Sequence, residues 1–317
     1  MNALDRVVEM FPNRISDNID LEAYRDESYK PKVKNALEYR AALLERLKQK
    51  SIYGDKTGFV TDTYFRFRPY ELTIWTGFKG HGKSALLSQV LLRFMQSGKR
   101  IFVCSPEFHP VELLYRFLVQ VLASNDPTEE EADFLIEYLA KWLWVYDVQS
   151  SLKPNDVPAL CRWVCENIKP DHIVIDSLMK CGLAPDDYAG QKRLVDQIQS
   201  VAHQNPVHIH VVAHARKGNS DDKPAKLHDV KGASEIADLA ENVVSVWRNK
   251  RKEQALSIGD MRMEGDHDAL FLVEAQRNCG GQIGTLPLYF DRNSTLFFEV
   301  GRSFRDYVSI PRVEVEL

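Results

Sequence analysis

No stretch of this chain approaches the ~18 consecutive apolar residues of a membrane span. The opening "MNALDRVVEM" carries acids where a secretory leader would be apolar. A membrane role is therefore not expected, and the cytoplasm is the expected compartment. Cysteine is scarce: Cys104, Cys161, Cys165, Cys181 and Cys279 make five, an odd number with no CxxC pair. Neither a disulfide framework nor a zinc ribbon is suggested. Cys161 and Cys165 stand four apart on a helical pattern, but no His or Cys cluster follows them, and packing is the expected role. An excess of basic residues is also missing. The net charge of −4 argues against a broad cationic coat for duplex DNA and leaves room only for local patches. Internal repeats and low-complexity tracts are absent as well.

With 317 residues, 44% of them hydrophobic and 27% charged, the chain has the make-up of an ordinary globular protein, long enough for one large α/β domain and an appendage. The first 32 residues are polar, interrupted by Pro12 and Pro31, and read as an arm. From Val33 to Lys50, "VKNALEYRAALLERLKQK" puts Leu37, Ala41, Leu44 and Leu47 on one face of an amphipathic helix that needs a partner. The rim of its own domain and a neighbouring subunit both stay open as that partner. We take residues 1–53 as arm and linker helix and residues 54–317 as the main domain.

That main domain alternates strand-like apolar runs with helical patterns, which predicts an α/β fold with a mostly parallel sheet and helices on both faces. Strands are expected at 72–76, 101–105, 143–147, 172–176, 207–213, 243–247 and 269–275, with two shorter ones near 287 and 296. The last two runs, "LPLYFD" and "LFFEV", flank "RNS", so the sheet should finish in an antiparallel hairpin.

The most informative stretch is "GFKGHGKS", Gly77, Phe78, Lys79, Gly80, His81, Gly82, Lys83 and Ser84. It follows the apolar run "ELTIWT" and precedes Leu86, Leu87, Val90, Leu91 and Phe94 at helical spacing, so it joins a strand to a helix. Glycines let backbone N–H groups turn around phosphate oxygens, and the helix N-terminus adds positive potential. Lys83 reaches the β and γ phosphates and Ser84 ligates Mg²⁺. ATP, or another NTP or dNTP, with Mg²⁺ is the expected ligand.

Ligands of parallel sheets sit beyond the carboxyl ends of the strands. "RIFVCS" leads to Glu107, where a carboxylate can orient and deprotonate water. "HIVID" ends in Asp176, suited to Mg²⁺ through its water shell, and "VHIHVVAH" ends in His214, able to sense the γ phosphate. The segment from Arg216 to Glu235 has no apolar period and carries Arg216, Lys217, Lys223, Lys226 and Lys231, which reads as a long loop.

"GFKGHGKSALLSQ", "IFVCSPEF", "HIVIDSLMKCG", "HVVAHARK", "KLHDVKGASEIADLAENVVSVWRN" and "EAQRNCGGQIGTLPLYFDRNS" together resemble, in order, the helicase motifs of DnaB-type hexameric replicative DNA helicases, the phage enzymes and the mitochondrial Twinkle helicase among them. The likeness covers roughly residues 54–300. It implies a RecA-like P-loop NTPase core, six subunits in a ring, and 5′ to 3′ translocation on single-stranded DNA. It makes Glu107 the catalytic base, Asp176 the second acid and His214 the γ-phosphate sensor, and it adds Arg277 as an arginine finger for the next subunit's site. The family's lysine two residues earlier is replaced by Ala275. Arg248 and Phe290 match positions that sandwich the base, with a core role for Phe290 equally open. Lys231, Gly232, Ala233 and Ser234 match the element that grips DNA phosphates in the channel, with Arg216 and Lys217 nearby.

No primase is expected in this chain, so priming is assigned to another protein, with a separate primase or polymerase as partner. The alternative is a RecA-like, NTP-switched single-stranded-DNA-binding recombination or loading factor that does not unwind. A metabolic kinase is a third, weaker reading, for want of a small-substrate lid.

Overall fold

A computed structural model describes residues 20, 22–25, 35–49, 52–148, 150–184, 186–215, 222–224, 234–302 and 307. Among the described residues nine strands lie in one sheet: β1 Glu71–Thr76, β2 Ile101–Cys104, β3 Leu143–Tyr146, β4 His172–Asp176, β5 His208–Val212, β6 Asn242–Arg248, β7 Ala269–Gln276, β8 Gly284–Asp291 and β9 Leu296–Phe298. Their order across the sheet is β3-β2-β4-β5-β1-β6-β7-β8-β9. The first six in that order pair in parallel. From β6 onward the pairing turns antiparallel, and β8 and β9 form the expected closing hairpin, with Phe290 opposite Phe297.

The parallel strands are continuous apolar runs because both of their faces are covered. β1 illustrates this: all six residues are buried, and their side chains alternate between two cores. Trp75 joins the core formed with helices Lys83–Gln96, Pro110–Leu122 and Glu129–Leu139. Leu72 and Ile74 face the other core, against helices Asp156–Asn167, Tyr188–Gln204 and Ser234–Leu239. Cys104, Cys161 and Cys181 are buried there as free thiols, in keeping with a packing role.

Within the first core a polar chain crosses the sheet. Trp75 Nε1 donates to His210 Nδ1 at 3.1 Å, His210 Nε2 lies 3.1 Å from His172 Nδ1, and His172 Nε2 lies 3.2 Å from Asp55 Oδ2. An indole can only donate, so His210 Nδ1 is an acceptor, and the protons then run from His210 Nε2 to His172 Nδ1 and from His172 Nε2 to Asp55. His208 bonds Thr73 Oγ1 at 2.8 Å and the Arg68 carbonyl at 2.6 Å. Burial pushes His208 down to about 3 and His210 well below the usual imidazole range.

The linker helix is shorter than the sequence pattern predicts. An Asn35-capped 3₁₀ turn, Ala36–Tyr39, runs into the α-helix Arg40–Lys48, and every residue of both is exposed. Leu37, Leu44 and Leu47 keep 79%, 46% and 70% of their surface, so the rim of its own domain does not cover the stripe. Arg46 lies 4.2 Å above the ring of Tyr53, the last residue of the linker, which holds the helix near the edge of the main domain. Val33, Lys34 and Lys50 lie outside the described residues. No helix among the described residues is long and apolar enough to cross a membrane.

Candidate active site

Four neighbouring strands, β2, β4, β5 and β1, deliver the predicted groups to one end of the sheet. The loop after β1 needs glycine at two points for specific reasons. Gly77 has φ 139°, and a Cβ there would collide with the Val246 carbonyl. Gly82 has φ 86°, and a Cβ would stand 2.9 Å from the Phe297 ring. Lys83 opens the helix and is buried, its Nζ donating to the carbonyls of Gly77 and Phe78 at 2.8 and 2.9 Å. Burial pushes the Lys83 ammonium down to about 8, against the opposing pull of Asp176 and Glu107.

Ser84 Oγ donates to Asp176 Oδ2 at 2.8 Å. Burial raises the Asp176 carboxyl above its ordinary range, the Ser84 hydroxyl opposes this, Glu107 adds to it, and Lys83 and Arg116 oppose it. Glu107 Oε1 accepts from Ser177 Oγ at 2.5 Å and lies 3.4 Å from His214 Nε2. The hydrogen bond to His214 is the largest of the influences that bring Glu107 down to about 2, so it is ionised throughout the working range. The predicted hydroxyl, lysine, two carboxylates and histidine are thus brought together.

The fit to a triphosphate and a divalent cation can be judged from the polar atoms left over. Among the described residues, the buried Thr76 Oγ1, Ser105 Oγ and His214 Nδ1 have no hydrogen-bond partner, and each stands at or within two residues of the carboxyl end of a parallel strand. Unpaired buried polar atoms are uncommon. Their gathering beside a lysine, a hydroxyl and two carboxylates suits a phosphate group and the hydrated cation it carries.

A cavity of about 390 Å³ adjoins the phosphate loop, walled by Gly80, Gly82, Arg248, Phe290 and Phe297. Both predicted base-contacting residues line it. Arg248 is held by Glu253 and by the Gly80 carbonyl at 3.4 Å. Phe290 packs on Phe297 with ring centroids 4.9 Å apart while remaining half-buried, so one face serves the core and the cavity is open to it.

Two contacts escaped the sequence reading. His81, expected only as one residue of the phosphate loop, is buried, and its Nδ1 accepts the backbone N–H of Arg248 at 3.1 Å, which ties the loop to the end of β6. No local pattern announces this contact, since it depends on the lateral pairing of β1 with β6. Arg116 rests 4.6 Å above the Phe108 ring and acts electrostatically on Asp176. Its place one turn below Glu112 on a helix beginning at Pro110 was a usable signal.

Arg277 stands apart from this group. β7 runs antiparallel to β6 with Gln276 opposite Asn242 and Ala269 opposite Arg248. Arg277 therefore follows the strand at the amino end of β6, about 20 Å from the end that meets the phosphate loop, at roughly 3.3 Å per residue. There it pairs with Glu241 at 3.3 Å. Ala275 is packed against the second core. Of the DNA-contact candidates, Arg216, Lys217, Lys231, Gly232 and Ala233 lie outside the described residues, and Ser234 opens the helix Ser234–Leu239.

Residues 66–220 match a family model described as an AAA domain. A solved structure described as a DnaB-like replicative helicase and its interactions with primase superposes with a TM-score of 0.69 at 14% identity, covering 94% of this chain and 74% of that one. A second solved structure, described as an ATPase domain, superposes with a TM-score of 0.68 at 15% identity, covering 87% of this chain and all of that one. The fold read from the motifs is the fold these structures share.

Proposed function

We propose that this chain, which carries an AAA-domain match on the fold of the DnaB-like replicative helicases, is an NTP-driven DNA helicase whose copies form a hexameric ring and move 5′ to 3′ on single-stranded DNA. One observation carries most of this reading: Arg277 lies at the opposite end of the sheet from Lys83 of its own chain. A cation there is out of reach of its own chain's phosphates and could serve those of another molecule, which supports a site completed by two subunits.

In this reading the loop N–H groups and Lys83 hold the β and γ phosphates, while Ser84 and Asp176 hold Mg²⁺. When bound, Mg²⁺ would supply positive charge to offset that of the phosphate groups. Glu107 orients a water in line with the γ phosphorus, and its carboxylate takes the water's proton as the P–O bond to the diphosphate breaks. With its low proton affinity, Glu107 acts mainly by orientation and accepts the proton late, which suits a loose transition state in which the water is still barely bonded. His214, 3.4 Å from Glu107, is positioned to register whether the γ phosphate is present. The neighbour's Arg277 neutralises the charge gathering on the transferred group. Arg248 and Phe290 stack on the base and leave base choice weak.

Arg216, Lys217, Lys231, Gly232, Ala233 and Ser234 are assigned to the DNA backbone, a grip blind to sequence as a translocating motor requires. The exposed leucines of Ala36–Lys48 are assigned to subunit assembly. A primase acting alongside, as in the relative described with one, belongs to the same picture.

The test is strand displacement of a forked duplex by the purified chain with nucleotide and Mg²⁺. Unwinding of the fork with a free 5′ tail, and not of one with only a 3′ tail, is the expected result. DNA-stimulated hydrolysis without displacement of either would refute the helicase reading and favour an NTP-switched single-strand-binding factor, which the replacement of the family's lysine by Ala275 already supports.

A further inference from the structure

Glu241 is the last residue before β6, and its carboxylate is buried with 8% of the side chain exposed. Oε2 accepts the N–H of Leu72 at 2.9 Å. Oε1 accepts from Gln199 at 2.8 Å and from Arg277 at 3.3 Å, and lies 3.2 Å from His203 Nε2. The backbone repeats both links: Glu241 N–H donates to the Leu72 carbonyl at 3.1 Å, and Arg277 N–H donates to the Glu241 carbonyl at 2.9 Å. A second guanidinium nitrogen of Arg277 donates to the Asp238 carbonyl on the preceding helix.

A buried carboxylate is costly to desolvate, and packing alone would be served as well by a neutral side chain of the same size. What the charge adds here is a fixed hold on a guanidinium. Arg277 remains 54% exposed, with donors to spare. An unrestrained arginine has many rotamers to lose, and two points of attachment remove much of that freedom before any phosphate is met.

We infer that Glu241 is a positioning residue that seats Arg277 for the neighbouring subunit's nucleotide and joins that finger to β1, the strand leading into its own phosphate loop. This role presupposes the assignment of Arg277 proposed above. Because Glu241 grips Leu72 through both its backbone and its side chain, any displacement of β1 on filling of the subunit's own site would be passed to the seat. The finger then reports one site to the next around a ring.

The test is a double-mutant cycle on the full chain, reading kcat and KM for nucleotide hydrolysis with saturating single-stranded DNA. Glu241→Gln should lower kcat about tenfold, the size of one charge-assisted hydrogen bond, with KM unchanged. In an Arg277→Ala background the same change should cost less than about twofold, since residues acting as one unit are not additive. If Glu241→Gln fails to fold, Glu241→Asp goes through the same cycle under the same criterion. Full kcat in the Glu241 variant, or an equal fractional loss in both backgrounds, overturns the seat and leaves Arg277 as the finger. Full kcat in Arg277→Ala alone overturns both.

Discussion

Lys83 offers the most direct measurement of how burial acts on this site. Its ammonium, ordinarily at 10.5, is brought to about 8 by desolvation, since only the carbonyls of Gly77 and Phe78 hydrogen-bond it and the carboxylates of Asp176 and Glu107 act at longer range. A triphosphate binds the protonated form. Affinity should therefore be level below about pH 7.5 and fall as pH rises through 8, approaching tenfold per pH unit, or about 1.4 kcal/mol. At pH 9.5 a group at 8 is only about 3% protonated, so Kd should be roughly 30-fold weaker than at pH 7, whereas an unperturbed lysine would weaken it by only about a tenth. The assay is equilibrium titration of a fluorescent, non-hydrolysable nucleotide between pH 6.5 and 9.5. Lys83→Arg, whose charge does not titrate in this window, should give weaker binding but a level profile. A wild-type Kd unchanged up to pH 9.5 would refute the reasoning, because it would mean that the loop or its neighbours hold the ammonium as firmly as water does.

Glu107→Gln should bind nucleotide normally and lose roughly 10²–10⁴ in steady-state hydrolysis, and full turnover in a phosphate-release assay would remove it from the chemistry. Acid should weaken the fold before carboxylates titrate: the unfolded chain takes up protons on His208 and His210 below about pH 6.5, whereas the folded chain does not. Stability is therefore whole above that value and falls by about 1.4 kcal/mol per pH unit for each histidine, seen as a drop in urea midpoint from pH 7 to pH 5; an unchanged midpoint contradicts it. Arg277→Ala should keep nucleotide affinity and lose roughly 10³–10⁵ in rate. Mixing it with Lys83→Ala subunits should restore DNA-stimulated hydrolysis above the sum of the two, and mixed rings without any gain would refute action in trans. Phe290→Ala should raise KM for every nucleotide by about 5-fold to 100-fold, the 1–3 kcal/mol of one stacked base, with kcat retained; an unchanged KM would return Phe290 to the core.

Much of this was legible because local rules decide it. Strands buried on both faces appear as apolar runs, and all nine expected strands were formed within a few residues of their predicted bounds. Lys83, Ser84 and Asp176 were readable because a phosphate loop and a strand-end acid are written in consecutive residues. The links between elements were not. The bond from His81 to Arg248 and the seat of Arg277 on Glu241 depend on which strands lie side by side, and an order in which β1 falls between β5 and β6 cannot be read from spacing. The histidine chain gave a partial signal, since His208 and His210 are two apart on one strand and must share a face. Their partner His172 becomes adjacent only through the pairing of β4 with β5.

The change from parallel to antiparallel pairing beyond β6 divides the proposed nucleotide contacts between two parts of the sheet. Lys83, Ser84 and Asp176 belong to the parallel part, while Phe290 stands on the terminal ribbon, whose Phe297 backs Gly82 and exchanges two hydrogen bonds with Gln89 of the loop's own helix at 2.8 and 2.9 Å. A nucleotide bound as proposed would then be a rivet through both parts. On the proposed reading, fraying of the ribbon would withdraw the wall behind the loop, so loosening of the last two strands should be felt as faster loss of nucleotide.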